Sequence, residues 1–406
     1  MLRLVTCSES NPDERNVAVD EPTRLLADLV KIPSVNPMGG AFVAGKGMLE
    51  AGVTEYLDRF FRDLGVPFER IEVAPGRENV IARYDSSSSR RVLLFDAHQD
   101  TVPVEGMTIA PFDPRIDGDR LYGRGSCDIK GGLAAMLSAF ARLVRERPKG
   151  AASVIMACPV DEEFTHLGSS ALARSNLKVD LAIVAEPTEL NLTNCHKGAI
   201  RWKIRTTGRA CHSSTPHLGD NAIVRMARVV TSLASLAELL TRGKGDPVLG
   251  PPTLSVGRIE GGRSVNVVPD RCEIELDRRL IPGEDAEEAR DQVRSHLESA
   301  LGSLQHVEFL PPWVAMPALA SKPSEAWLPL IRHAIATALG RIPDVIGVPY
   351  GTDAGPLSVE GGIPCLVFGP GDIAQAHTED EWVDLQQVRA AADVYYAIAV
   401  AAGEQE

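Results

Sequence analysis

The sequence predicts an α/β protein: a mostly parallel, helix-covered sheet interrupted by a smaller α+β unit. Short uninterrupted apolar runs recur at 92–95, 154–157, 181–185 and 365–368, with longer amphipathic segments between them. Continuous apolar runs of this length suit strands buried on both faces. Between 200 and 301 the pattern changes to alternating strands and amphipathic helices, the pattern of a sheet wet on one side. The length, 406 residues, is about two to three times that of a usual single domain, so two cores are expected.

Taken in order, 92–95 is the first buried strand. The Ala- and Leu-rich stretch 132–144 is a helix that returns the chain to the sheet. The runs 154–157 and 181–185 are the next two strands. The inserted unit begins with the alternating strand 200–207. A helix comes next at 222–240, with Ile223, Met226, Val230 and Leu233 on one face. An alternating strand at 272–280 and a helix at 285–301 complete it. Pro311 and Pro312 mark its end, since proline lacks the N–H that a helix or central strand needs. The main pattern resumes with a helix at 326–339, carrying Trp327, Leu330, Ile331 and Ile335 on one face, and the strand 365–368. The expected division is 1–197 and 312–406 for the main domain and 198–311 for the insertion.

Charge and cysteine usage narrow the function classes. There are 42 Lys and Arg against 55 Asp and Glu, a net charge of −13. Such a chain is a poor partner for nucleic-acid backbone or an anionic membrane, and neither is expected. The seven cysteines, Cys7, Cys127, Cys158, Cys195, Cys211, Cys272 and Cys365, are odd in number and widely spaced. They read neither as a disulfide framework nor as a Cys-based zinc site. Residues 1–20 are too polar for a secretory leader, and no stretch has the roughly 18 apolar residues of a membrane span. A cytoplasmic location is expected.

The residues just past the buried strands carry the chemistry. Asp96, His98 and Asp100 come after the first. Asp161, Glu162 and Glu163 come after the second, and Glu186 after the third. His377 lies beyond the fourth, past Gly369 and Gly371. Asp128 sits in a glycine-dense loop, 123–132, that enters a helix. Open α/β sheets bind ligands beyond the carboxyl ends of their strands. Clustered carboxylates repel unless protonated or bound to cations, and histidines among them favour transition metals. Two ions sharing one carboxylate form a common hydrolytic centre. Asp100, two residues from His98 on an extended chain, can face the second imidazole nitrogen. Of the Glu162–Glu163 pair, one can ligate while the other serves as general base. Each piece alone has a plainer explanation: a structural histidine, a solvated acid pair, a strand-end turn at Glu186, or Asp128 as a helix cap. Their joint occurrence at four strand ends favours the site.

These motifs resemble the dinuclear zinc amidohydrolase and exopeptidase family that includes acetylornithine deacetylase, succinyl-diaminopimelate desuccinylase, aminoacylase and carboxypeptidase G-type enzymes. The match runs through residues 96–103, 123–132, 161–163, 185–188, 369–371 and His377. The resemblance implies that His98 and Glu186 hold one divalent ion, Glu163 and His377 the other, and that Asp128 bridges them. Zinc is the first choice, with cobalt or manganese as alternatives. It further implies Glu162 as general base and acid, and Asp100 as the residue that orients His98. In the insertion, taken as a lid and dimerisation domain, it implies His212 as oxyanion donor and Asn266 and Arg279 as substrate contacts. Stretches 194–198, 350–354 and 371–377 are closest to acetylornithine deacetylases, and Asp353 is expected to pair with a basic substrate amine. The implied reaction is amide hydrolysis of a small N-acyl amino acid by a homodimer serving amino-acid, notably arginine, biosynthesis. Desuccinylase, aminoacylase, dipeptidase or carboxypeptidase activity on the same centre is the nearest alternative. A non-catalytic metal-binding protein is the remote one.

Overall fold

A computed structural model describes residues 20–40 and 49–404. The polar segment 1–19 and Cys7 lie outside the described residues. Helix α1 (Glu21–Val30) is capped by Asp20, whose side chain accepts the Thr23 N–H, and α2 (Ala51–Leu64) ends on Gly65 in the left-handed region. Strands β1 (Phe68–Ala74), β2 (Arg77–Tyr84) and β3 (Val92–Asp96) come next, then the short pair β4 (Arg115–Asp117) and β5 (Arg120–Tyr122). Helix α3 (Gly131–Glu146) leads to β6 (Ser153–Cys158), α4 (Leu167–Ala173), β7 (Leu181–Val184) and β8 (Leu192–His196). The inserted unit comprises β9 (Gly198–Thr207), α5 (Ala222–Arg242), β10 (Thr253–Gly261), β11 (Arg271–Leu280), α6 (Ala286–Leu301), β12 (Val307–Phe309) and β13 (Val314–Met316). The chain closes with α7 (Leu328–Leu339), β14 (Val345–Val348), α8 (Ala354–Val359), β15 (Cys365–Val367), β16 (Trp382–Asp384) and α9 (Leu385–Glu404).

The large sheet has the order β1-β2-β6-β3-β7-β15-β8-β14. Its centre is parallel: β6, β3, β7 and β15 run the same way. Apolar clusters cover both faces. On one, Leu93, Phe95 and Ile183 pack with Leu29, Phe140, Ile335 and Tyr395 from the helices. On the other, Leu94, Ala182 and Val367 meet Leu172 and Leu357 of α4 and α8. Burial on both faces explains why these strands read as continuous apolar runs. The second sheet, β10-β11-β9-β12 with β13 also on β9, is covered on one face by α5 and α6 through Trp202, Ile274, Met226 and Val293. Its other face alternates outward, as the sequence predicts.

The chain passes between the sheets at Lys197. The return lies later than the proline pair suggests. Leu310 and Trp313 donate to the carbonyls of Lys203 and Arg201, and β13 then pairs with the start of β9. Pro311 and Pro312 thus interrupt an edge rather than end the unit, so the inserted sheet extends to Met316 instead of stopping at 311. Among the described residues, no helix is long and apolar enough to cross a membrane.

Candidate metal centre

The ends of β3, β6 and β7 and two loops converge on one cavity of about 380 Å³, walled on its far side by the inserted sheet. Past β3 the chain stays extended: Ala97 and Gln99 donate to the carbonyls of Ala157 and Pro159. His98 is 2% exposed, and its Nδ1 lies 3.0 Å from the Asp100 carbonyl oxygen. That contact turns Nε2 toward Asp128, 3.3 Å from Oδ1, and Nε2 has no hydrogen-bond partner. The Asp100 carboxylate stands farther from the ring, at 3.6 Å. It accepts the Glu162 and Glu163 N–H groups at 3.1 and 3.2 Å and the Asn36 amide at 2.8 Å. Asp100 thus meets His98 Nδ1 most closely through its backbone carbonyl, while its carboxylate also fixes the Glu162–Glu163 turn.

Asp128 owes its position to a buried acid that sequence reasoning missed. Glu381 accepts the N–H groups of Gly125, Cys127 and Asp128 at 2.9, 2.9 and 3.0 Å and pairs with Arg124 at 2.7 Å. The loop needs its glycine: Gly125 has φ +79°, and a Cβ there would meet Thr101 at 2.5 Å. Asp128 Oδ2 lies 3.2 Å from His377 Nε2, which lies 3.2 Å from Glu163 Oε2 as well. Each Asp128 oxygen thus faces a different imidazole. Glu186, just past β7, lines the same cavity. Gly369 lets the neighbouring chain approach it, since a Cβ there would sit 2.6 Å from the Glu186 carbonyl.

The electrostatics describe a site built for cations. Burial, and then the Asp128 charge, push the Glu163 carboxyl up to about 7, and the same causes raise Glu186. Burial also raises Glu162, against the pull of His98. Burial works against a charged imidazole at His377, but hydrogen bonds to Asp128 and Glu163 push it up to about 11. Burial works against a charged His98 as well, but the facing Asp128 carboxylate and the surrounding acids raise it. Asp128, itself penalised by burial, is held below the usual carboxylate range by the two histidines. One ligand atom each from His98, Asp128 and Glu163 lie within 4.8 Å of one another, and the unpartnered His98 Nε2 and Glu163 Oε1 complete a donor set that fits a transition metal.

Of the other expected site residues, one shares this cavity and three do not line it. Arg279 lines the cavity. Asp353 is 1% exposed and bonds His166 Nδ1 at 3.1 Å, so it sits under the cavity wall rather than open to a substrate amine. His212 and Asn266 lie together on the inserted unit: Ser213 donates to the Asn266 carbonyl, and the His212 ring bonds the Ser214 hydroxyl. Neither lines this cavity. Two lining residues escaped sequence reasoning. His166 stands 3.6 Å from Glu162 and is joined to it only by a four-residue spacing through a turn. Arg201, on β9, reads as one more outward position in an alternating strand.

Comparison with known proteins points the same way. Residues 94–401 match the family described as peptidase family M20/M25/M40. An acetylornithine deacetylase of Vibrio campbellii is 31% identical over 351 residues, covering 85% of this chain and 89% of that protein. The crystal structure of an M20 family metallo-carboxypeptidase from Sulfolobus solfataricus superposes with a TM-score of 0.79 at 20% identity, over 95% of this chain and all (100%) of that one. A dinuclear metal-binding M20 peptidase of Bacillus subtilis gives a TM-score of 0.67 at 17% identity, over 95% of this chain and 98% of that one.

Proposed function

We propose, from the premise that this chain belongs to peptidase family M20/M25/M40 and is a metallo-hydrolase, that it hydrolyses the amide bond of an N-acyl amino acid. The observation that carries this reading is the Asp128 carboxylate, with one oxygen on each histidine and the uncommitted acid Glu162 beside it. His98 and Glu186 would hold one ion, His377 and Glu163 the other, with Asp128 between. Zinc suits the mixed imidazole and carboxylate donors, as cobalt or manganese would. When bound, the ions polarise the acyl carbonyl and acidify water.

The chain's own groups do the rest. Glu162 is nearly buried, and its raised proton affinity suits a group that takes a proton from water and passes it to the leaving nitrogen. Asp100 holds the backbone of that turn. Arg279 binds the substrate carboxylate. His212 and Asn266 stand away from this cavity, so under this reading they serve a second copy's cavity in a homodimer. Acetylornithine is the first candidate substrate, on the strength of the 31% identical relative. Asp353 lends that reading little, because the carboxylate is buried and one of its oxygens bonds His166 Nδ1. A cytoplasmic role in arginine biosynthesis goes with the acetylornithine reading. Peptidase action is the second reading, favoured by a cavity whose Phe164, Val314, Met316 and Ile373 could take an apolar residue.

The test is hydrolysis of N-acetylornithine, N-succinyl-diaminopimelate, simple N-acetyl amino acids and dipeptides, with added zinc, cobalt or manganese and with a chelator. Chelator-sensitive cleavage of at least one N-acyl amino acid is expected. Cleavage of dipeptides alone would replace the first reading with the second. Chelator-insensitive cleavage would remove both.

A further inference from the structure

The open face of the inserted sheet carries opposite charges paired across neighbouring strands. Arg205 with Glu273, Lys203 with Glu275 at 3.0 Å and Arg201 with Asp277 at 2.7 Å obey the register of β9 on β11. The third rung, which reaches the cavity, is unbalanced. Asp277 Oδ2 accepts Arg201 Nε, and Oδ1 accepts Arg279 Nε at 2.8 Å. Two guanidinium groups share one carboxylate, leaving one positive charge in excess. Both line the cavity across from the acid cluster, and they are its only Lys or Arg lining residues among those described. Neither makes another hydrogen bond to a described protein residue, so their terminal Nη atoms remain for a ligand. Lys197, near enough to Arg279 to feel its charge, spends its ammonium on the Pro251 carbonyl at 2.7 Å.

A charge ladder accounts for Arg201 with Asp277. On the other rungs a second cation on the acid is matched by a second acid, Arg205 and Arg271 by Glu273 and Glu308, and Lys203 and Arg258 by Glu275 and Glu260, whereas Asp277, with no second acid among the described residues, faces two arginines and both end in the cavity. We infer that Arg201 is a second carboxylate-binding residue acting with Arg279, and that Asp277 is the positioning residue that aims both forks. The excess of one charge matches one carboxylate, and paired planar forks give it four terminal donors. The inference rests on the amide-hydrolase reading above, whose N-acyl amino acid supplies that free carboxylate on the amine side. Amide- or ester-capped analogues are rejected.

The experiment measures equilibrium binding by calorimetry to the metal-loaded protein carrying Glu162→Gln, which removes turnover. The probes are N-acetyl-L-ornithine and its α-carboxamide. The free acid is expected to bind about 10- to 100-fold more tightly, the scale of one or two charge-assisted hydrogen bonds. Arg201→Met should cut that ratio about tenfold or more. Arg201→Lys keeps the charge without the fork and should fall between. Asp277→Asn should lower the ratio as well, an effect a purely structural residue would not confine to the acid. An unchanged ratio in Arg201→Met overturns the inference, and so does a ratio near one, or no binding of the acid, without the arginine substitution. Turnover with Glu162 intact separates the two readings. Acid preference without hydrolysis removes the hydrolase and leaves the clamp, whereas hydrolysis without acid preference does the reverse.

Discussion

At the residue scale, the acids just past the buried strands were legible because strand-end position alone sends them to one sheet edge. His98, Glu162, Glu163, Glu186 and His377 are all read from local sequence. Their central claim is tested at Glu162. Glu162→Gln keeps size and shape but cannot accept a proton, so metal content should be unchanged while kcat falls about 10²- to 10⁴-fold. Metal analysis beside turnover checks this, and near-normal kcat in a fully loaded variant removes Glu162 from its role. His166 was not legible, because its partner Asp353 is 187 residues away in the chain. Removing the ring alone leaves Asp353 buried without a partner. His166→Leu should therefore cost about 1–3 kcal/mol in denaturant unfolding. The double variant His166→Leu with Asp353→Leu should cost less than the sum of its two single variants. Additive losses would show that the pair is not coupled.

At the element scale, glycines report where backbone must come close. The dense glycines at 123–132 announce a tight loop, and that loop does carry Asp128. What holds it, Glu381, gives no local signal, since the last acid of the run Glu379-Asp380-Glu381 resembles any solvated charge. The short β13 was equally hidden: three residues beyond two prolines carry too little periodicity to outweigh the break. Gly369 offers a test at this scale. A Cβ there would press on the Glu186 carbonyl, so Gly369→Ala should destabilise the fold by about 1–3 kcal/mol. It should also lower metal stoichiometry by shifting Glu186. Thermal unfolding and metal analysis would show both, and full loading with unchanged stability would mean that the strand end can relax.

At the scale of the whole molecule, metal, protons and stability are linked. An ion that binds only the folded chain stabilises it by about 2.7 kcal/mol at a hundredfold excess over Kd. Chelation should therefore lower the melting temperature, and restoring zinc should raise it. The sign of the pH dependence comes from the protons the ligands hold. Without ions, Glu163 keeps its proton up to about pH 7 and His377 up to about 11, so an incoming cation must expel protons. Affinity should therefore fall as pH drops below about 11, where His377 takes its proton, and more steeply below about 7, where Glu163 does too. Calorimetry in buffers of different ionisation enthalpy would show proton release, and its absence would contradict the protonated cluster. The separate apolar core of the inserted sheet was legible from the change in periodicity. The exact return was not, because an edge strand interrupted by prolines looks like a boundary.

That late return has a consequence for selectivity. Among the described residues, the chain passes between its two larger sheets at Lys197 and just beyond Met316, while Ala199, Arg201, Arg279, Val314 and Met316 wall one side of a cavity whose acids belong to the other sheet. Under the proposed function, the span between the two arginines and the acid cluster is a ruler whose length is set by two narrow crossings. Substitutions at those crossings can retune which molecules fit without touching any of them.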